Sequence, residues 1–452
     1  MNSEISKKIS RRKFFGTSSA ALAGLTIVPS HVVSGLGHIS PSDKLNVAGI
    51  GIGGKGRGVI ESIAKTENIV ALCDVDWSDR VERVFSTYPR ALRFKDFRVM
   101  FDKQKEIDAV MIATPDHTHA VITMEAIKRG KHVYTEKPLT QTIYESRILT
   151  EAARKYKVAT QMGNQGQAGD SPRRLREIIS DGAIGPIHEV HVWTDRPNRG
   201  FSGTYWPQGI TRPGEVMPVP DSLDWDLYVG PAPMRPFNSV YHPTGWRGWW
   251  DFGTGALGDI GCHSFDPVFR ALKLKYPLSV QAVSTLVNDE TYPLGSKVTY
   301  DFPARDHMPP VRLTWYDGGL RPPRIEGIEK GVQMGTGGTL YIGENGMILG
   351  NQILPGALNE SYQRPEPYIP SSPGHSEEWI LACKGGNPAG SNFDWAGPLT
   401  ETVLLGNIAL RPELRDKLSY QNLDFNSAKM NFPNLPEADN FLHHEYREGW
   451  SL

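Results

Sequence analysis

The sequence predicts two domains of different class: an α/β unit on a parallel sheet over 43–162, and an α+β unit with a large open, mainly antiparallel sheet over 163–452. Three observations predict this. Short apolar runs of strand length alternate with helical periods from residue 44 to about 160, the rhythm that builds a parallel sheet. After 187 come five strand-like runs with few helices between them, which suits a mostly antiparallel sheet. A chain of 452 residues also exceeds what one core usually holds.

A segment of another kind precedes both domains. Lys7 and Lys8 lead into Ser10-Arg11-Arg12-Lys13-Phe14-Phe15, and the uncharged stretch 16–29 is rich in Ala, Leu, Ile and Val. A basic region, paired arginines and a short apolar run make the pattern of a twin-arginine signal peptide over 1–35. The apolar run is too short to span a bilayer comfortably, so no stable membrane insertion is expected. The expected partner is the twin-arginine export machinery, and the expected location is the periplasm or another exported one.

Composition is that of an ordinary soluble protein, with 39% apolar and 22% charged residues and a net charge of -1. No basic stripe is present to collect phosphates, which argues against a nucleic-acid partner. Cys73, Cys262 and Cys383 are isolated and read as small buried hydrophobes. His117, His119, His188, His191 and His242 match no zinc spacing, so no metal is expected.

The first domain can be read in order. Residues 44–50 form a buried strand, Gly51-Ile52-Gly53-Gly54-Lys55-Gly56 follow at once, and 57–65 read as a helix. In such a strand–turn–helix, one glycine makes the turn, one lets backbone approach a pyrophosphate, and one lets the helix pack on the strand. These are the roles of Gly51, Gly53 and Gly56, and the helix N-terminus then faces the phosphates. The pattern is a Rossmann dinucleotide-binding domain. A second strand, 69–73, ends at Asp74, where an acid bonds the adenosine ribose. A carboxylate there repels a 2′-phosphate and favours NAD, with NADP kept open by the nearby Arg80. A third strand, 107–113, ends in Thr114-Pro115-Asp116-His117-Thr118-His119, and a helix over 120–129 closes at Gly130. The strand 131–134 ends in Glu136-Lys137-Pro138. Pro138 keeps Lys137 out of helical geometry, at the carboxyl edge where ligands of open α/β sheets gather.

The glycine-rich turn, the Thr-Pro…His segment and Glu136-Lys137-Pro138, in this order, resemble the Gfo/Idh/MocA oxidoreductase family from about residue 44 to the end of the chain. The run Trp246-Arg247-Gly248-Trp249-Trp250-Asp251 resembles exported members from sugar-degrading bacteria. The resemblance implies an NAD(P)-dependent oxidoreductase acting on CH–OH groups of a sugar or sugar derivative. It implies that Lys137 sits beside the nicotinamide and the reacting hydroxyl, with Thr114, His119 and Glu136 on the cofactor side. It also implies a homo-oligomer formed through the second-domain sheet.

The Rossmann pattern fades near 158–160. A helix follows over 171–180, with strands over 187–194, 278–286, 296–301, 311–316 and 339–342. A glycine-rich lead, 253–258, runs into Asp259-Ile260-Gly261-Cys262-His263. Residues four apart share a helix face, Asp266 lies near it, and the resembled family carries Asp-x-x-x-His here. His263 is then the proton acceptor, Lys137 stabilises the developing alkoxide, and Asp259 orients His263 or bonds a second hydroxyl. Six of the 11 tryptophans fall between 193 and 250. Sugar faces pack on aromatic rings, so Trp206, Trp246, Arg247, Arg196 and Asp266 are candidate substrate contacts, while the other tryptophans fill core. An exported enzyme meets no free nicotinamide pool. Its cofactor should therefore be tightly bound and return to its starting redox state in each turnover. The same site also suits glycoside cleavage by transient ring oxidation, elimination and re-reduction. A non-catalytic sugar-binding protein is the third reading.

Overall fold

The first apolar runs fold as strands that alternate strictly with helices. They are β1 (Asn46–Ile50), α1 (Lys55–Ile63), β2 (Asn68–Cys73), α2 (Asp79–Thr87), β3 (Leu92–Phe94), α3 (Phe97–Lys103), β4 (Ala109–Ile112), α4 (Asp116–Lys128), β5 (His132–Thr135), α5 (Ile143–Tyr156) and β6 (Thr160–Met162). This computed structural model describes residues 43–452 except 201 and 420. The signal-peptide reading at 1–35 lies outside the described residues.

The six strands are all parallel, in the order β3-β2-β1-β4-β5-β6. Strand order reverses between β1 and β4, which opens a crevice beyond their carboxyl ends. Helix α4 starts four residues earlier than the apolar period suggests, because Pro115 has an extended backbone and serves as its N-cap. Asp116, His117, Thr118 and His119 therefore lie in the first turns of a helix buried on nearly all sides. A capping box starts α5: the Thr142 hydroxyl accepts from the Glu145 N–H, and the Glu145 carboxylate accepts from the Thr142 N–H at 2.9 Å.

The second half contributes α6 (Asp170–Ser180), β7 (Ile187–Trp193), α7 (Trp225–Val229), α8 (Gly255–Leu272), β8 (Ser279–Ser284), β9 (Ser296–Phe302), β10 (Val311–Tyr316), β11 (Gly338–Gly343), β12 (Met347–Leu349) and β13 (Gln352–Leu354). It ends with α9 (Gly356–Ser361), α10 (His375–Cys383), α11 (Phe393–Ala409), α12 (Pro412–Leu418) and β14 (Leu423–Asp424). Its eight strands run in the order β13-β12-β11-β7-β10-β9-β8-β14, antiparallel except between β7 and β10. The fold is thus a Rossmann sheet plus a mainly antiparallel sheet, as the residue pattern predicts.

Helix α8 lies on the large sheet. Phe265 meets Tyr300 and Trp315 edge-on, both at 5.7 Å, and Phe269 meets Phe302 at 5.8 Å. Truncating such a buried phenylalanine to alanine costs about 3–5 kcal/mol. Helix α11 is buried on nearly every side because it is shared between the two sheets. A Cβ on Gly406 would sit 2.2 Å from the Tyr300 hydroxyl, and one on Gly397 would sit 2.4 Å from Thr150 Oγ1 of α5. Arg147 of α5 pairs with the buried Glu401 of α11 at 2.6 Å. No described helix is long and apolar enough to cross a membrane.

Candidate active site

A cavity of about 450 Å³ opens over the carboxyl ends of the parallel strands. Its floor begins at the β1–α1 turn. Gly51 has φ +77°, and a Cβ there would lie 2.7 Å from the Ala113 and Thr114 backbone. A Cβ on Gly56 would lie 2.2 Å from the Gly51 carbonyl oxygen, so side chains at either position would force turn, helix and strand apart. No side chain caps α1, and Gly53, Gly54 and Lys55 at its N-terminus line the cavity. This uncapped helix end and the lysine suit a pyrophosphate.

Asp74 stands at the end of β2 and lines the same cavity. Its Oδ2 accepts the Ile52 and Gly53 N–H groups at 2.9 and 3.1 Å, and its Oδ1 accepts from Asp76 N–H at 3.0 Å. The carboxylate therefore braces the glycine turn while keeping lone pairs for ribose hydroxyls. Burial raises its pKa, and the three N–H donors oppose that rise. Arg80, the residue that kept NADP open, pairs with the buried Asp76 at 3.3 Å. The residues present fit NAD: a close-approach turn, an uncapped helix, a cation and a ribose acid.

The other end of the cavity is built from charge. Lys137 Nζ donates to Asp259 Oδ1 at 2.6 Å, and Arg247 Nε donates to the same oxygen at 3.0 Å. Burial would depress the Lys137 pKa, but Asp259 and Asp116 outweigh it and hold the ammonium above its ordinary value. Burial would likewise raise Asp259, yet Lys137 and Arg247 keep it well below the carboxylate range. Lys137 is therefore a cation and Asp259 an anion at neutral pH. His263 sits one helical turn on along α8, its pKa pushed down to about 4 by burial and then by the Lys137 charge. Its imidazole is neutral and open to a proton. Asp259 is engaged by Lys137 and Arg247, and no described residue hydrogen-bonds His263. Of the two roles expected for Asp259, the orienting hydrogen bond to His263 is not formed.

Asp116 was not singled out from the sequence as a site residue. It lines the cavity and is 2% exposed. Its Oδ2 accepts the Thr254 hydroxyl at 2.5 Å, whereas Oδ1 has no partner among the described residues. Burial pushes its carboxyl up to about 7. The signal lay in the Thr-Pro-Asp segment itself, since an acid in the first turn of a buried helix has no water to solvate it.

Gly51, Gly53, Asp74, Thr114, Glu136, Lys137, Trp246, Arg247, Asp259 and His263 all border this one cavity. Gly56 stands just behind the wall, where it packs on Gly51. His119 also lies behind the wall, its ring between the Pro138 and Thr114 carbonyl oxygens at 2.7 and 2.9 Å. It ties the two strand-end loops together. Three substrate candidates fall elsewhere. Asp266 is consumed by Arg270, Asn164 and Trp395. Arg196 pairs with Asp195 and lies over the Tyr205 ring at 3.5 Å. Trp206 is buried with its Nε1 donating to Gln208. All six clustered tryptophans are buried, and only Trp246 of them borders the cavity, with the Arg247 guanidinium 4.2 Å from its ring centre.

This geometry is matched by similarity to known proteins. Residues 45–164 match the NAD-binding Rossmann domain of the Gfo/Idh/MocA oxidoreductase family, and 169–302 match its C-terminal alpha/beta domain. The chain belongs to this oxidoreductase family. It is 28% identical to levoglucosan dehydrogenase of Pseudarthrobacter phenanthrenivorans over 38% of this chain and 34% of that protein. It is 30% identical to a glycosyl hydrolase family 109 protein of Solibacter usitatus over 30% of this chain and 35% of that one. The matched stretches thus span about a third of these curated relatives. The WlbA dehydrogenase of Bordetella pertussis, solved with NADH and UDP-GlcNAcA, superposes with a TM-score of 0.56 at 18% identity. That match covers 82% of this chain and 97% of the other and shows a shared fold.

Proposed function

We propose that this chain is an NAD-dependent oxidoreductase that acts on a secondary hydroxyl of a sugar or sugar derivative and keeps its cofactor bound between turnovers. One observation carries the reading: the Lys137–Asp259–Arg247 cluster and a neutral His263 share a single cavity with the glycine turn and Asp74. Bound there, NAD would supply the hydride acceptor. His263 takes the hydroxyl proton as that hydride leaves carbon. The Lys137 ammonium faces the oxygen as its charge grows, and Asp259 and Arg247 hold the ammonium in place. Trp246 offers an apolar ring beside these groups, as a sugar face requires. The name of levoglucosan dehydrogenase, a sugar-acting relative, supports the substrate class.

A second reading has its own support in the glycosyl hydrolase family 109 relative. In that reading the same site oxidises a ring carbon transiently, the neighbouring C–H is lost with the glycosidic group, water adds and the hydride returns. Export supports both, since a captive cofactor in a closed cycle needs no outside pool. The paired arginines Arg11 and Arg12 before an apolar stretch support periplasmic export.

The experiment is to purify the protein without added nucleotide, denature it and identify what is released by mass spectrometry, then assay glycosides and sugar pairs. Stoichiometric NAD(H) with redox-neutral turnover is expected. A protein that neither carries nor takes up NAD(H) would sink the reading. Arg11→Lys with Arg12→Lys should trap the protein in the cytoplasm on fractionation, and unchanged export would remove the twin-arginine route.

A further inference from the structure

The adenosine end of the cavity is walled by a segment remote from the Rossmann sequence. Beyond Asp74, the lining passes to Asp96 and Phe97 at the start of α3, and then to Trp450. Trp450 is half-buried, with its ring 6.1 Å from Phe97. The Arg98 guanidinium lies 4.7 Å from the Trp450 ring centre and is itself held by Asp96 at 2.8 Å. Asp74 and this aromatic corner line the same cavity, so a purine carried on a ribose bonded to Asp74 would have the corner as its wall.

The segment carrying Trp450 is fastened at several points. The Tyr446 hydroxyl donates to Glu145 at 2.6 Å, and Glu145 is the acid of the α5 capping box. The Arg447 backbone N–H donates to the Pro231 carbonyl at 2.9 Å. The Arg447 guanidinium donates to the Gly230 carbonyl at 3.0 Å and to Asp226 Oδ1 at 2.6 Å. Trp450 N–H closes a turn on the Arg447 carbonyl at 3.0 Å, and Lys128 of α4 donates to the Leu452 carbonyl at 2.9 Å. So the segment is bonded to the Rossmann domain through α4 and α5, and to the second half through 226–231. A strap anchored on both sides cannot swing away without breaking several bonds at once.

We infer that residues 446–452 are a fixed strap over the adenine subsite, with Trp450 as the ring that contacts the purine and slows release of the dinucleotide. This rests on the reading of the cavity as an NAD site and assigns its retention to one segment. An adenine against an aromatic wall gains contact area at its flat face, and losing one base-stacking ring costs roughly tenfold or more in affinity. Retention by the strap needs no new chemistry at the catalytic end, because nothing in the segment touches Lys137 or His263.

The test uses wild type, Trp450→Ala, Trp450→Phe and Arg447→Ala, each loaded with NADH. Release is followed by stopped-flow fluorescence against a chase of NAD, with ADP-ribose and nicotinamide mononucleotide as half-site probes. Trp450→Ala should speed NADH release about tenfold and weaken ADP-ribose equally, while leaving nicotinamide mononucleotide unchanged. Trp450→Phe should stay within threefold of wild type. Arg447→Ala, which frees the strap but keeps the ring, should also speed release. Release from Trp450→Ala within twofold of wild type would overturn the strap, as would equal weakening of both half-site probes. Failure of wild type to take up NADH at all would instead overturn the dinucleotide reading on which the strap depends.

Discussion

The two ends of the cavity hold their ligands by opposite means. At the glycine turn, the recognising groups are backbone N–H donors and Asp74, whose carboxylate also braces the turn at 2.9 and 3.1 Å. At the far end they are ionisable side chains, with Lys137 and Arg247 converging on one oxygen of Asp259 and a half-satisfied Asp116 nearby. At the first end, folding and binding are made of the same bonds. At the second, buried charges and an orphan oxygen are carried for chemistry, and the fold would be no worse without some of them. Damage to the first end should therefore appear as lost stability and lost nucleotide, and damage to the second as lost turnover in a well-folded, loaded protein.

The sharpest way to break this contrast is Lys137→Met. Turnover should fall by roughly a thousandfold, the scale of removing an oxyanion-stabilising group, while NAD retention stays within threefold. Turnover within tenfold of wild type would remove Lys137 from the chemistry. His263→Ala should cost about a hundredfold or more, as loss of a general base does, again with nucleotide retained. Burial lowers His263 to about 4, so the base form is present above that value. Oxidation should lose no activity as pH falls from neutral until it drops through about 4. A limb near 6.5 would place the working base in a solvated site rather than in this cavity.

Gly51→Ala should behave in the reverse sense. Its φ of +77° and the 2.7 Å approach of a Cβ to Ala113 and Thr114 leave no room to relax. Strain of this kind costs about 1–3 kcal/mol before the clash is counted. A melting temperature lowered by several degrees with loss of bound nucleotide is expected, and an unshifted melt with full retention would show that the turn is not the rigid floor described.

The same contrast explains what the sequence disclosed. The glycine turn, Asp74 and the strand that ends at Lys137 are local: each is a few residues whose neighbours in sequence are their neighbours in space. The parallel sheet and the Asp259–His263 helix were legible for that reason. Asp266 misled because its spacing from His263 puts it near the same helical face, yet it turns inward to Arg270 at 2.8 Å. The tryptophans misled because aromatic richness marks a large core as readily as a sugar subsite. Two features had no local signature. Helix α11 belongs to both sheets, so the boundary at 162 divides sequence more cleanly than it divides space, and Trp450 reaches the adenosine end from hundreds of residues away.

The smallest expected effect tests the charge count of the far end. With Asp116 protonated, Lys137 and Arg247 face one anion, Asp259, and the site keeps a net positive charge for a developing alkoxide. Burial raises Asp116 from 3.8 to about 7. Folding therefore favours its protonated form, and the stability this contributes is complete below about 3.8, falls as pH rises from there, and is gone above about 7. Asp116→Asn keeps the shape and the Thr254 contact but has no proton to lose. The variant's melting temperature should rise relative to wild type from about pH 4, where the unfolded carboxyl ionises, and the gap should level off above about 7, so that it is smaller at pH 5.5 than at pH 8.5. Equal gaps at the two pH values would mean that Asp116 is already an anion in the acid sample. Lys137 and Arg247 would then be balanced by two carboxylates, and the positive field that Lys137 is here assigned to supply would have to come from the bound nicotinamide instead.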